Sequence, residues 1–145
     1  FNVSVEDGNE DASASVAQPF TFTVTPVNDA PGTPTDNNAA ANTVAENAAA
    51  GTPAGLTASA FDPDTAVLVY SLTNDAGGAF QIDPTTGVVS VRDASKLNYE
   101  ALGPGKSLSV TVQASDGFEL ATQTFAIAIT DVNEAPTALA LSNVR

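Results

Sequence analysis

The sequence predicts an all-β protein, a seven-stranded antiparallel sandwich of the immunoglobulin-like type, present as one complete repeat with part of a preceding one. Three observations carry this. Apolar and polar residues alternate with period two in Leu108–Ala114 and in Phe125–Thr130, the pattern of strands with one packed and one wet face. Turn-forming clusters recur about every ten residues, as short antiparallel strands require. Finally, Val27-Asn28-Asp29-Ala30-Pro31 returns almost unchanged as Val132-Asn133-Glu134-Ala135-Pro136. The likeness extends backward, from Phe20–Thr25 to Phe125–Thr130 at the same offset. Val3–Gly8 likewise resembles Val112–Gly117, with a connecting loop four residues longer in the first copy. A fixed period of this kind marks a tandem array.

In the complete repeat the strands are expected at Thr43 to Ala45, Gly55 to Phe61, Val67 to Thr73, Ala79 to Asp83, Gly87 to Arg92, Ser107 to Ala114 and Ala121 to Asp131. The punctuation between them is Asp62-Pro63-Asp64, Asn74-Asp75-Ala76-Gly77-Gly78, Asp83-Pro84-Thr85-Thr86-Gly87, Gly103-Pro104-Gly105 and Asp116-Gly117, all residues that favour tight turns or left-handed backbone. Ala94–Leu102 reads as a short helix capped by Asp93 and stopped by Gly103-Pro104. At about two turns it needs packing to persist, with Leu97 and Leu102 as anchors. Thr33 to Asn42 reads as a plain surface linker. The domain boundaries follow: 1–31 the last strand pair and linker of a preceding repeat, 32–136 the complete domain, 137–145 the start of another. Residues 1–31 hold only a hairpin's worth of sheet, which is marginal alone; the expectation is disorder or pairing with another chain.

Composition narrows the function. Seventeen acidic residues face four basic ones, giving a net charge of −13, and no Lys or Arg precedes Arg92. Nucleic acid is excluded as a partner, since its phosphates need Lys and Arg to displace counterions. No apolar run is long enough to span a membrane. Cys and His are absent, which removes disulfides, zinc, haem and iron–sulfur ligation and any nucleophile–base pair built on them. An enzyme is therefore not expected. The Asn2-Val3-Ser4 sequon lies on an expected strand, and nothing in the spacing of Lys96 or Lys106 supports an isopeptide bond to Asn.

The acids fall at turns and repeat boundaries. Asp62 and Asp64 close the second strand of the complete repeat and Asp116 the sixth, so a sandwich places them at the pole that receives Asn28–Pro31. The opposite pole gathers Glu46, Asn98 and Glu100 beside Asp131, Asn133 and Glu134. Carboxylates brought together repel unless a cation bridges them. A donor set of Asp, Glu and Asn without His or Cys suits calcium, which takes six to eight hard oxygens.

These residues resemble the cadherin-type repeat, in the form found in large bacterial surface proteins. Ala45-Glu46-Asn47 resembles its Pro-Glu-Asn box, Asp62-Pro63-Asp64 its Asp-x-Asp, and Leu97-Asn98-Tyr99-Glu100 its Leu-Asp-Arg-Glu. Ala114-Ser115-Asp116 resembles Ala-x-Asp, and Asp131 to Pro136 the linker Asp-x-Asn-Asp-Asn-x-Pro. Each motif alone is weak; five in order across residues 43 to 136 are specific. The resemblance implies calcium ions between successive repeats. It assigns Asn28, Asp29, the Ala30 carbonyl, Asp62, Asp64 and Asp116 to the first junction. To the second it assigns Glu46, Asn98, Glu100, Asp131, the Val132 carbonyl and Glu134, with weaker occupancy where the next repeat's Asp-x-Asp is not supplied. Pro26 stands where the second linker has Asp131, Asn98 replaces an acid, Glu134 replaces Asp, and Ala30 and Ala135 replace Asn, departures that bear on how many ions bind more than on whether they bind.

The function expected is a calcium-binding structural repeat that stiffens a rod-like extracellular adhesin or biofilm-type protein. Its partners are neighbouring repeats of the same chain and another cell-surface protein or polysaccharide. The alternative is a carbohydrate-binding module of a secreted protein, with Phe118 and Tyr99 as its exposed stacking rings.

Overall fold

The computed structural model describes residues 2–5 and 16–134. Its strands are β1 (Asn2–Val5), β2 (Val16–Pro19), β3 (Thr35–Asp36), β4 (Thr43–Ala45), β5 (Pro53–Ser59), β6 (Val69–Asn74), β7 (Phe80–Ile82), β8 (Val88–Val91), β9 (Ser107–Ser115) and β10 (Leu120–Thr130). Two four-stranded sheets form the sandwich, β4-β10-β9-β6 and β3-β5-β8-β7. All seven expected strands of the complete repeat are present, with ends shifted by a residue or two.

Alternation places the core between the sheets. Leu56 and Ala58 of β5, Val89 and Val91 of β8, Val110, Val112 and Ala114 of β9, and Ile127 and Ile129 of β10 all point inward and are buried. Burying a side chain of this size contributes about 1.5–3 kcal/mol, so the facing rows of β9, β10, β5 and β8 hold the sheets together. In β9 the alternate positions are polar, Ser109, Thr111 and Gln113 among them, and Thr111 pairs with Thr124 of β10 across the outer face, their hydroxyls 2.9 Å apart.

Two expectations are corrected. The segment Thr33 to Asn42 is not a plain linker. Thr35 and Asp36 pair with Ser59 and Ala58, Pro34 is fully buried, and the Asp36 carboxylate accepts from the Asn38 and Thr57 amides. Proline patterning hid this edge strand, which is too short to show alternation. The expected helix Ala94–Leu102 is likewise only a single 3₁₀ turn, Ala94–Lys96, capped by Asp93 as read. At Leu97 the backbone leaves the helical region (φ −97°, ψ 62°) to bury that side chain, 2% exposed, in the core. A second turn follows, in which Asn98 Oδ1 accepts from the Ala101 amide. Burial of Leu97 outweighed continuation of a helix too short to be stable.

The partial copy reproduces the register of the complete one. Val3 faces Gln18 and Val5 faces Val16, as Val112 faces Gln123 and Ala114 faces Ala121. The apolar positions that follow differ between the copies. Ile127 and Ile129 are buried, whereas Phe22 and Val24 are 69% and 88% exposed. The expected segment 137–145, and Ala135 and Pro136 before it, lie outside the described residues.

Gly87, just before β8, has φ +71°, and a Cβ there would lie 2.1 Å from the Ala58 carbonyl oxygen, whereas a Cβ on Gly77 (φ +70°) meets nothing. Gly87→Ala is expected to destabilise by about 3 kcal/mol or more, combining a left-handed backbone with a backbone clash. Gly77→Ala, which incurs only the backbone penalty, is expected to cost about 1 kcal/mol. Urea unfolding of the two variants checks the difference.

Candidate metal centres at the two poles

At the first pole the linker is stitched to the loops that leave β5 and β9. Asn28 Nδ2 donates to Asp116 Oδ2 at 2.8 Å, and the Asp29 amide donates to Asp64 Oδ2 at 2.6 Å. Pro31 is buried, and the Gly32 amide donates to the Phe61 carbonyl at 2.8 Å. Asp116 closes the Asp-Gly turn: its Oδ1 accepts from the Phe118 and Glu119 amides, both at 2.7 Å. Those two amides, Glu119 first, and then Asn28 hold its carboxyl below the ordinary carboxylate value.

Asp62 is organised differently. Its Oδ1 accepts from the Asp64 and Thr65 amides at 2.8 and 2.9 Å, which fixes the Asp-Pro-Asp corner as an Asx turn. Its Oδ2 is buried and has no hydrogen-bond partner among the described residues, in a side chain only 6% exposed. A buried carboxylate oxygen without a donor is costly, and a cation beside it removes that cost. Asp62, Asp64 and Asp116 together with Asn28 and Asp29 offer only hard oxygens, the set calcium prefers. Ala30 sits between Asp29 and the buried Pro31, held to this corner by its neighbours.

The opposite pole is built by register. β4 runs parallel to β10, with Ala45 opposite Thr130. The next residues along, Glu46 and Asp131, therefore emerge side by side, and the Glu46 amide donates to the Thr130 carbonyl at 3.1 Å. Carboxylate oxygens of Glu46, Glu100 and Asp131 all lie within 4.8 Å of one another. Glu46 is buried at 5% exposure and braces the site: its Oε1 accepts from the Val132 amide and its Oε2 from the Tyr99 amide, both at 2.9 Å. These two bonds, Val132 first, hold its carboxyl below the ordinary value, with lesser help from Glu100 and Lys106. Asn98 spends its side-chain oxygen on the Ala101 amide, and Glu134 is exposed and outside the three-carboxylate cluster.

Residues 41–132, more than half of the chain, match the cadherin domain family. The chain belongs to that family. Human cadherin-related family member 2 is 35% identical over 97 residues, covering 63% of this chain and 7% of the relative. The crystal structure of human protocadherin-24 EC1-2 matches with a TM-score of 0.56 at 26% identity, over 72% of this chain and 45% of that one. Protocadherin gamma B2 extracellular cadherin domains 1–5 match with a TM-score of 0.60 at 26% identity, over 83% of this chain and 24% of that one. The chain thus spans less than half the length of each of these three. Cadherin domains are adhesive, non-enzymatic repeats that occur in tandem, lie outside the cell in these relatives and generally bind calcium. Among the described residues no helix is long and apolar enough to cross a membrane.

Sequence reasoning missed the groups that brace this cadherin repeat's carboxylates. Glu46 is positioned by two backbone amides, and Asn28 meets Asp116 through its amide nitrogen rather than its oxygen. Backbone donors leave no mark in side-chain identity. The Asp-Gly and Asp-x-Asp turns were the available signals, and they point only to Asp116 and Asp62. Tyr99, expected as an exposed stacking ring, is instead half-buried, packs against the core and lies under the Lys106 ammonium, 4.4 Å from its ring centroid.

Because the folded-state values of Glu46 and Asp116 are depressed, the stability they contribute is present above their ordinary values of 4.5 and 3.8 and is lost as pH falls through the folded ones. With chelator present, the melting temperature is expected to fall on acidification below 4.5. Glu46→Gln is expected to lower it near neutrality and make the acid descent shallower. Circular-dichroism melts at stepped pH test this, and an unchanged profile in the variant contradicts it.

Proposed function

We propose that this chain is a calcium-rigidified spacer from a rod-like extracellular protein, with adhesion as the task of the whole. The observation that carries the reading is the Asp62 oxygen, buried without a donor among the described residues, at the pole where the linker is already docked on Asp64 and Asp116. In this reading residues 1–31 are the end of one repeat, 32–136 a complete one, and 137–145 the start of a third. Asn28, Asp29, Ala30, Asp62, Asp64 and Asp116 serve the first junction. Glu46, Asn98, Glu100, Asp131, Val132 and Glu134 serve the second.

Calcium supplies a centre of positive charge that oxygens from the linker and from both neighbouring repeats can share. This chain's residues do the rest. The Asx turn at Asp62 aims one oxygen at the site and uses the other to hold its own loop. Asn28 and Asp29 fasten the linker, and Glu46 fixes the exit strand through the Val132 amide. Without the ion, like charges crowd both poles and the junction is a hinge. With it, the folded and aligned arrangement is favoured by mass action. An acidic, cysteine-free, tandemly repeated sequence supports a parent on the surface of a bacterium, in adhesion or biofilm, with neighbouring repeats and a surface protein or polysaccharide as partners. The carbohydrate-module reading has weaker support, since Lys106 covers one of its two aromatic rings.

Thermal unfolding with calcium and with chelator tests the proposal. The parent is expected to melt far higher in calcium, Asp62→Ala/Asp64→Ala is expected to lose most of that rise, and magnesium is expected to substitute poorly because it demands octahedral geometry and keeps its water. Coincident curves for parent and double mutant in calcium and in chelator would remove the metal from the account.

A further inference from the structure

Among the described basic residues, Lys106 has the most unusual setting. Its backbone is left-handed (φ +45°) directly after Gly105 (φ +99°), a conformation that costs a non-glycine residue about 1–2 kcal/mol and persists only where other contacts hold it. Those contacts are specific. The ammonium donates to the Tyr99 carbonyl at 2.8 Å and to the Leu102 carbonyl at 2.9 Å, and it lies over the Tyr99 ring. The Lys106 amide donates to Gly103 at 3.2 Å, and its own carbonyl accepts from the Ile129 amide at 2.8 Å.

One residue therefore touches both carriers of the second metal centre. Its side chain closes the Tyr99–Leu102 turn that bears Glu100, and its backbone holds β10 two residues before Asp131. The Tyr99 peptide group is gripped from both sides, its N–H by Glu46 and its C=O by Lys106. The described residues give Lys106 no ion pair; the one ion pair found among them joins Arg92 to Asp75 at 3.8 Å. Its charge thus acts on carbonyl dipoles at the end of a turn and does not occupy the carboxylates a metal needs.

We propose that Lys106 is a positioning residue for the Glu46, Glu100 and Asp131 centre, clamping the Glu100 turn to the exit strand so that the three carboxylates converge before any ion arrives. The inference rests on the calcium reading of that pole. It places the lysine behind the ligands, in the role that outer-shell partners of metal ligands play.

The chain has two tyrosines and no tryptophan, so Tyr70→Phe leaves Tyr99 as the antenna for terbium luminescence at this centre. In that background, Lys106→Met is expected to weaken terbium binding, and calcium competition against it, by about tenfold, while Lys106→Arg retains most of the affinity. In chelator, Lys106→Met is expected to speed hydrogen exchange of the Leu102 amide by about tenfold, leaving the Val110 and Val112 amides unchanged. Should Lys106→Met fail to fold, Lys106→Gln, which keeps a donor without the charge, is compared in the same way. Affinity and Leu102 exchange within about twofold of the parent overturn the inference alone. A parent without any Tyr99-sensitised signal overturns the calcium reading of this pole and the inference with it.

Discussion

The short parallel pairing of β4 with β10 is the constraint on which the second pole depends. Three residues of β4, Thr43 to Ala45, lie against Ala128 to Thr130. Because the strands run the same way, whatever follows each emerges at the same end. An antiparallel arrangement would send Glu46 and Asp131 to opposite ends of the sandwich. Parallel register instead brings a buried glutamate to the base of the exit linker, where it accepts the Val132 amide. The same carboxylate accepts the Tyr99 amide, so one side chain joins three segments distant in sequence. Burying a carboxylate is costly unless its oxygens are satisfied, and both oxygens of Glu46 accept a backbone amide.

β10 also ties the two poles together. Its start is fixed by the turn in which Asp116 accepts two amides, and its end by Glu46. Along its length it pairs antiparallel with β9 over nine residue pairs. The strand therefore spans from the loop bearing Asp116 to the linker bearing Asp131, and displacement at one end is transmitted as rigid-body motion by a well-packed sheet. In the proposed spacer reading, this geometry would carry local order at a junction into alignment over the length of a repeat.

Much of this was legible in the sequence. Period-two alternation found the long strands because β9 and β10 pack one face and wet the other. Turn residues located the loops. Of the acids read at strand ends, Glu46, Glu100 and Asp131 lie close together and Asp64 and Asp116 bond the linker, although such acids also serve plain turns, as Asp116 does. What escaped was carried by the backbone or by burial. Thr35–Asp36 is too short for a pattern, and its anchor, Pro34, reads as a linker residue until its burial is seen. The helical pattern of Ala94–Leu102 was real but local, and the core's demand for Leu97 overrode it. Lys106 gave no signal at all, since a left-handed lysine clamping two carbonyls looks, in one dimension, like any surface lysine beside a glycine.

The two poles are unequal in a way that follows from one substitution between the linkers. Asp131 contributes a carboxylate to the second pole, and its counterpart in the first linker is Pro26, which offers neither a carboxylate nor an amide hydrogen. In the proposed reading the first junction then draws its negative charge from Asp29 of the linker and from the receiving repeat, where Asp64 and Asp116 already bond the linker and Asp62 shapes the corner beside them. The second draws it chiefly from the departing repeat, where Glu46, Glu100 and Asp131 converge. The group of three carboxylates found within 4.8 Å of one another among the described residues thus lies at the departing end, and in the proposed reading each linker adds its share where it crosses. In the proposed calcium reading, order in such an array depends on both neighbours of every junction, which makes stiffness a property of the assembled chain and not of any isolated repeat.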